Sequence, residues 1–198
     1  TDPKLDKATA YVAEDLMYRH WDHWVTELPH TFIADFGEGI SPEKSIDILA
    51  SEDKLYELPT EPFGGMEQLD WSPDGKYIAY SCKKKAGKEY AFSTNTEIYI
   101  YNVADGSCNV IPMGGGYDTE PAWSPDGQHI AWLSMARDGY EADKTRLMVA
   151  DVADGKAGAI RDLTAGFKYN AAAPVWDDDS RTIYFNALAE GLQGIFKA

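Results

Sequence analysis

The chain of 198 residues has only two cysteines, Cys82 and Cys108, and no long run of apolar residues. Two thiols so far apart are too few for a zinc site or a disulfide-stapled scaffold. Without roughly 18 consecutive apolar residues there is no candidate spanning helix. Positive charge is scarce as well: 18 Lys and Arg stand against 33 Asp and Glu, a net charge of -15. A surface of that sign repels the phosphates of nucleic acid and an anionic membrane, so neither is an expected partner. The polar start Thr1-Asp2-Pro3-Lys4 has no apolar signal segment behind it, and any export signal is expected to be removed or upstream.

Catalytic and cofactor signatures are missing too. No Gly-x-Ser-x-Gly elbow occurs, and none of the four histidines has a Ser or Cys in a recognisable nucleophile setting. Gly114-Gly115-Gly116 lacks the Lys-Ser/Thr of a phosphate-binding loop and precedes a strand, which reads as a flexible connection. Neither a cofactor nor hydrolysis of a peptide or ester by this chain alone is expected. What is present, 44% hydrophobic and 26% charged residues, suits an ordinary globular domain with a sizeable core.

An internal repeat organises that core. Trp71-Ser72-Pro73-Asp74-Gly75-Lys76-Tyr77-Ile78-Ala79-Tyr80 returns 52 residues later as Trp123-Ser124-Pro125-Asp126-Gly127-Gln128-His129-Ile130-Ala131-Trp132. A degraded copy, Trp176-Asp177-Asp178-Asp179-Ser180-Arg181-Thr182-Ile183-Tyr184-Phe185, follows 53 residues on. A second block, Thr96 to Gly106, recurs as Thr145 to Gly155. Each unit reads as four short strands joined by a Ser-Pro-Asp-Gly turn, a loop and an Asp-Gly turn. Pro presets φ, Asp caps the turn with its side chain, and Gly takes the positive φ. Tyr77 to Ser81 and Ile98 to Tyr101 are apolar at consecutive positions, as in strands whose sheet is covered on both faces. Stacked blades of a β-propeller supply that cover.

The fold class expected is therefore all-β, a partial β-propeller of four-stranded antiparallel blades with one N-terminal helix. The helix is placed at Ala8 to Trp24, with Ala13, Met17, Trp21 and Trp24 on one stripe. The expected division is a helical linker over 1–28, the end of an incomplete blade and a connection over 29–66, complete blades over 67–113 and 114–165, and a truncated blade over 166–198. Phe32 to Gly39 and Ser45 to Leu49 would be the third and fourth strands of the earlier blade. Gly194-Ile195-Phe196 would start the third strand of the last, in the middle of which the chain stops at Ala198. Fewer than four blades at this period, against about four to eight in a closed propeller, makes a fragment with unpaired blade faces the expectation.

Several constellations have both a chemical and a plain reading. His20 and His23 have a spacing that can serve one metal, yet no third ligand at motif spacing follows, so packing against the propeller is preferred. Asp177-Asp178-Asp179 could hold calcium, but it aligns with the Ser-Pro-Asp turn and is read as one. Cys82 would end a second strand and Cys108 start a fourth, too far apart to bond. The charged loop Met135 to Lys144 is absent from the other complete blade, and is either a solvated surface or a binding loop.

The tryptophan-led Ser-Pro-Asp-Gly repeat resembles the propeller repeats of the TolB type, shared by TolB proteins and the prolyl oligopeptidase family of serine peptidases. Glu14-Asp15-Leu16-Met17-Tyr18-Arg19-His20-Trp21-Asp22 and Ala136-Arg137-Asp138-Gly139-Tyr140-Glu141-Ala142-Asp143 resemble the bacterial dipeptidyl-peptidase and acylaminoacyl-peptidase branch. That resemblance implies a non-catalytic propeller whose partner is a C-terminal α/β-hydrolase domain of the same polypeptide, gating access for short peptides, in the periplasm or outside the cell. None of that family's catalytic residues matches a position here, and the adjacent glutamate pair of dipeptidyl-peptidase IV relatives is missing. By strand alternation, the loop Arg137 to Asp143 should share a face with Gly64 to Gln68, Gly114 to Thr119 and Gly166 to Asn170. Arg137, Tyr140 and Glu141 are the candidate substrate-binding residues. A TolB-like protein-binding propeller with no enzyme attached is the alternative.

Overall fold

The computed structural model describes residues 9, 12–37, 39 and 42–198. Its described strands form five antiparallel sheets. The first two are hairpins: β1 (Arg19–His20) with β2 (His23–Trp24), and β3 (Phe32–Ile33) with β4 (Ile46–Asp47). A four-stranded meander follows, made of β5 (Leu69–Trp71), β6 (Tyr77–Cys82), β7 (Glu97–Asn102) and β8 (Cys108–Ile111). The same order recurs in β9 (Asp118–Trp123), β10 (His129–Ser134), β11 (Arg146–Ala153) and β12 (Lys156–Asp162). Three further strands, β13 (Ala172–Trp176), β14 (Ile183–Ala189) and β15 (Leu192–Lys197), make the last sheet.

The repeated turn is built as its residues dictate. Asp74 accepts from the Ser72 hydroxyl at 2.8 Å and the Lys76 amide at 3.1 Å, with Gly75 at φ 71°. Asp126 does the same for Ser124 and Gln128, with Gly127 at φ 69°. In the degraded copy Asp179 caps Arg181 and Thr182, and Ser180 takes the left-handed position at φ 55°. The acidic run is therefore a turn.

Successive sheets stack face to face, and the alternation of side chains sends neighbours along one strand into different cores. From β6, Ile78, Tyr80 and Cys82 pack toward Leu49 and Leu58, whereas Ala79 joins Ile98, Ile100, Trp123 and Trp132 on the other side. From β10, Ile130 and Trp132 face back, while Ala131 and Leu133 face forward to Ile183 and Phe185. Consecutive apolar residues are thus required, since both faces are buried. Polar stitches cross the same gaps: Asp70 accepts from the Trp123 amide at 2.7 Å, and the Trp176 indole donates to the Ala122 carbonyl at 3.0 Å. The outer face of the last sheet stays open, with Val175, Leu188 and Ile195 more than half exposed.

The N-terminal helix is not formed among the described residues. Trp21 has φ 48°, outside the helical range, and turns the chain between β1 and β2. Across the hairpin the Tyr18 and Trp24 rings stack at 6.1 Å and the Val25 amide donates to the Tyr18 carbonyl. Aromatic residues favour such cross-strand pairs, and the hairpin puts His20 inside and His23 outside. Residues 1–8, 10 and 11 of the expected helical segment lie outside the described residues. A helix that the repeat pattern did not disclose, α1 (Gly87–Phe92), lies instead in the loop between β6 and β7. Cys82 and Cys108 are both free thiols, the former pushed up to about 12 by burial.

Candidate functional site

Antiparallel strands alternate direction, so the β6–β7 and β10–β11 loops emerge at one end of the sheets, together with the connections between sheets. Hydrogen bonds tie these segments to one another. The Thr96 amide donates to the Gly116 carbonyl at 3.0 Å, the Met135 amide to Tyr117 at 2.9 Å, and the Ala171 amide to Thr145 at 3.0 Å. Gly116 is a close approach of two backbones, not the flexible connection expected of three glycines. Its φ is 121°, and a Cβ there would sit 2.1 Å from the Met135 carbonyl oxygen.

The loop Met135 to Lys144 is held from both sides. Asp138 accepts from the Ser93 hydroxyl at 2.7 Å and the Thr94 amide at 2.8 Å, and the Gly139 amide donates to the Thr94 hydroxyl at 2.9 Å. Desolvation works against the Asp138 charge, but these donors outweigh it and hold the carboxyl below its usual value. Arg137 donates through Nε to both Asp143 oxygens, at 2.9 and 3.0 Å, and its guanidinium lies 3.9 Å from the Tyr140 ring centroid. Both Arg137 and Tyr140 are exposed.

Beside this loop opens a cleft of about 450 Å³, within the range of small-ligand sites. His20, Phe63, Lys83, Tyr90, Tyr117 and Glu141 are among its lining residues, drawn from the hairpin, the loops and the connections. Two of these, His20 and Tyr90, are held by Glu57, which is 5% exposed. One Glu57 oxygen lies 2.8 Å from His20 Nε2, and the other accepts the Tyr90 hydroxyl. Burial first, then the hydrogen bond to Glu57 and the charge of that carboxylate, raises the Tyr90 phenol above its ordinary value. At the rim the Trp21 and Phe63 rings meet edge to face at 4.9 Å.

Glu141 is the one of the three expected binding residues that lines the cleft. Arg137 and Tyr140 stand next to it, engaged with Asp143 and with each other. Lys83, Tyr90, His20 and Glu57 were not signalled as a group by the sequence. Nothing local links positions 20, 57 and 90, and Lys83 is the first of three consecutive lysines. Among the described residues no three His, Cys, Asp or Glu side chains gather as metal ligands. Each of the four histidines contacts a carboxylate: Glu57, Asp22, Asp47 and Asp151.

No protein-family model matches the chain. It is 49% identical over 190 residues to dipeptidyl-peptidase 5 of Porphyromonas gingivalis, covering 95% of this chain and 27% of that one. A probable dipeptidyl-peptidase 5 of Arthroderma benhamiae is 30% identical over 196 residues, covering 91% and 26%. The chain thus spans about a quarter of the length of these curated relatives. Among solved structures, a putative TolB from Agrobacterium tumefaciens superposes with a TM-score of 0.50 at 18% identity, over 72% of this chain and 41% of that one. That likeness is one of fold.

Proposed function

The chain belongs with the propeller portions of peptidases related to dipeptidyl-peptidase 5, and from that premise we propose that its loop face gates and binds short peptide substrates. Residues 67–113 and 114–165 are two whole blades in this reading, flanked by parts of blades at 29–66 and 166–198. The loop face is turned toward an α/β-hydrolase domain of the same polypeptide, which supplies the acyl-transfer chemistry. Glu141 receives the free amino terminus of the peptide. Tyr140 offers an aromatic surface, and Arg137 holds the loop through Asp143. Action in the periplasm or outside the cell belongs to the same proposal.

The observation that carries the reading is the position of Glu141. The residue lines a cleft of ligand size, on the face where inter-strand loops and inter-sheet connections converge. A charge-assisted hydrogen bond contributes roughly 1.5–3 kcal/mol. In the full-length polypeptide, Glu141→Ala should therefore lower kcat/KM for free-amine dipeptidyl substrates by roughly 10- to 150-fold, while a small activated ester is turned over as before. Equal activity of variant and parent on free-amine substrates would remove Glu141 from the site. A full-length polypeptide that binds proteins and hydrolyses no peptide would favour the TolB-like alternative.

A further inference from the structure

In a chain with 33 acidic residues against 18 Lys and Arg, a partly buried cation without a carboxylate is unexpected. Lys83 is such a cation. It follows β6, is only partly exposed and lines the cleft, with its ammonium 4.2 Å from the Tyr90 ring centroid. No described carboxylate comes within ion-pairing distance of it. The adjacent Lys84, by contrast, pairs with Glu52 and lies over the Tyr99 ring. Two of the nearby acids are committed elsewhere, Glu57 to His20 and Tyr90 and Asp138 to Ser93 and Thr94, and the third, Glu141, makes no ion pair with Lys83. Burial pulls the Lys83 ammonium below the usual lysine value, although the charges of Asp138, Glu57 and Glu141 pull the other way. Desolvated charges are ordinarily paired, and Tyr90 offers only its π face.

We propose that Lys83 is the anion-binding end of the cleft and takes a carboxylate of a short peptide, while Glu141 takes its ammonium. The inference rests on the peptide-binding reading above and narrows it. The cleft then sorts the two charges of a zwitterion, an amino end toward the 135–144 loop and an acid group toward Tyr90. A full negative charge suits this position better than an amide carbonyl, because it gives Lys83 the direct ion pair that the more distant Asp138, Glu57 and Glu141 do not make. The carboxylate can come from a peptide's C-terminus or from an acidic side chain.

The test is calorimetric binding to the full-length polypeptide of three probes: alanyl-alanine, its C-terminal amide, and alanyl-glutamic acid α-amide. The parent should bind the first or the third at least tenfold more tightly than the neutral amide, and which of the two does so identifies the carboxylate's source. Lys83→Met, which keeps an unbranched apolar stem against Tyr90, should abolish that preference, and Lys83→Arg should retain it. No preference in the parent, or equal losses on all three probes in Lys83→Met, would overturn the proposal. Hydrolysis of a free-amine dipeptidyl substrate by the parent is measured alongside. Its absence sinks the peptidase reading, whereas hydrolysis without a Lys83-dependent carboxylate preference sinks this inference alone.

Discussion

Asp118 opens β9 with 0% exposure, and neither carboxylate oxygen has a hydrogen-bond partner of good geometry. Its backbone is well served, the carbonyl accepting from the Ser81 and Thr96 hydroxyls. The side chain is not. Desolvation dominates, and the Ser134 hydroxyl, the Arg146 charge and the Trp132 indole offset only part of it, leaving the carboxyl raised to about 6 from 3.8. With a folded value above the unfolded one, the native state holds its proton where the unfolded chain has released it. Stability contributed by Asp118 is therefore fully present below about pH 4, falls through the window to about pH 6, and stays lost above it. At 1.36 kcal/mol per unit the span amounts to about 3 kcal/mol. Asp118→Asn removes the titration and is expected to be more stable than the parent at pH 7.5 by about 1–3 kcal/mol, the lower end allowing for an amide N–H left unpaired. Urea unfolding of both proteins at half-unit steps from pH 4 to 8 measures this, because their difference isolates one residue from the other carboxylates. Midpoints for parent and variant that run parallel across that range would refute the reasoning.

Two further outcomes follow from close contacts. Gly116→Ala forces a Cβ against the Met135 carbonyl at a φ of 121°, and should destabilise by at least about 1–3 kcal/mol, read as a lower urea midpoint. Glu57→Ala strips both His20 and Tyr90 of their buried acceptor and should cost roughly 1–3 kcal/mol, with faster hydrogen exchange in the Arg19–Trp24 hairpin and in α1.

What the sequence determined by itself was chiefly local and periodic. Ser72-Pro73-Asp74-Gly75 and its copies specify a turn through contacts within five residues, and the hydrophobic runs on either side mark the strands it joins. Because the runs are apolar at every position, they also announce that both sheet faces are covered. Cys82 and Cys108 could be kept apart on strand order alone.

The rest was settled by contacts between distant residues. Ala13, Met17, Trp21 and Trp24 fit a helical stripe, yet the segment from Arg19 to Trp24 is a hairpin whose His20 is held by Glu57, 37 residues away in sequence. The three glycines read as slack until Met135 is brought against the last of them. Lys83 and Lys84 are adjacent identical residues, and only the tertiary structure gives one of them a carboxylate and leaves the other over Tyr90, in a cleft with Glu141. The physical reason is one of range. Turn chemistry and strand alternation act between residues a few positions apart and are written in their order, whereas burial, ion pairing and the shape of a cleft arise only where separate loops meet in space.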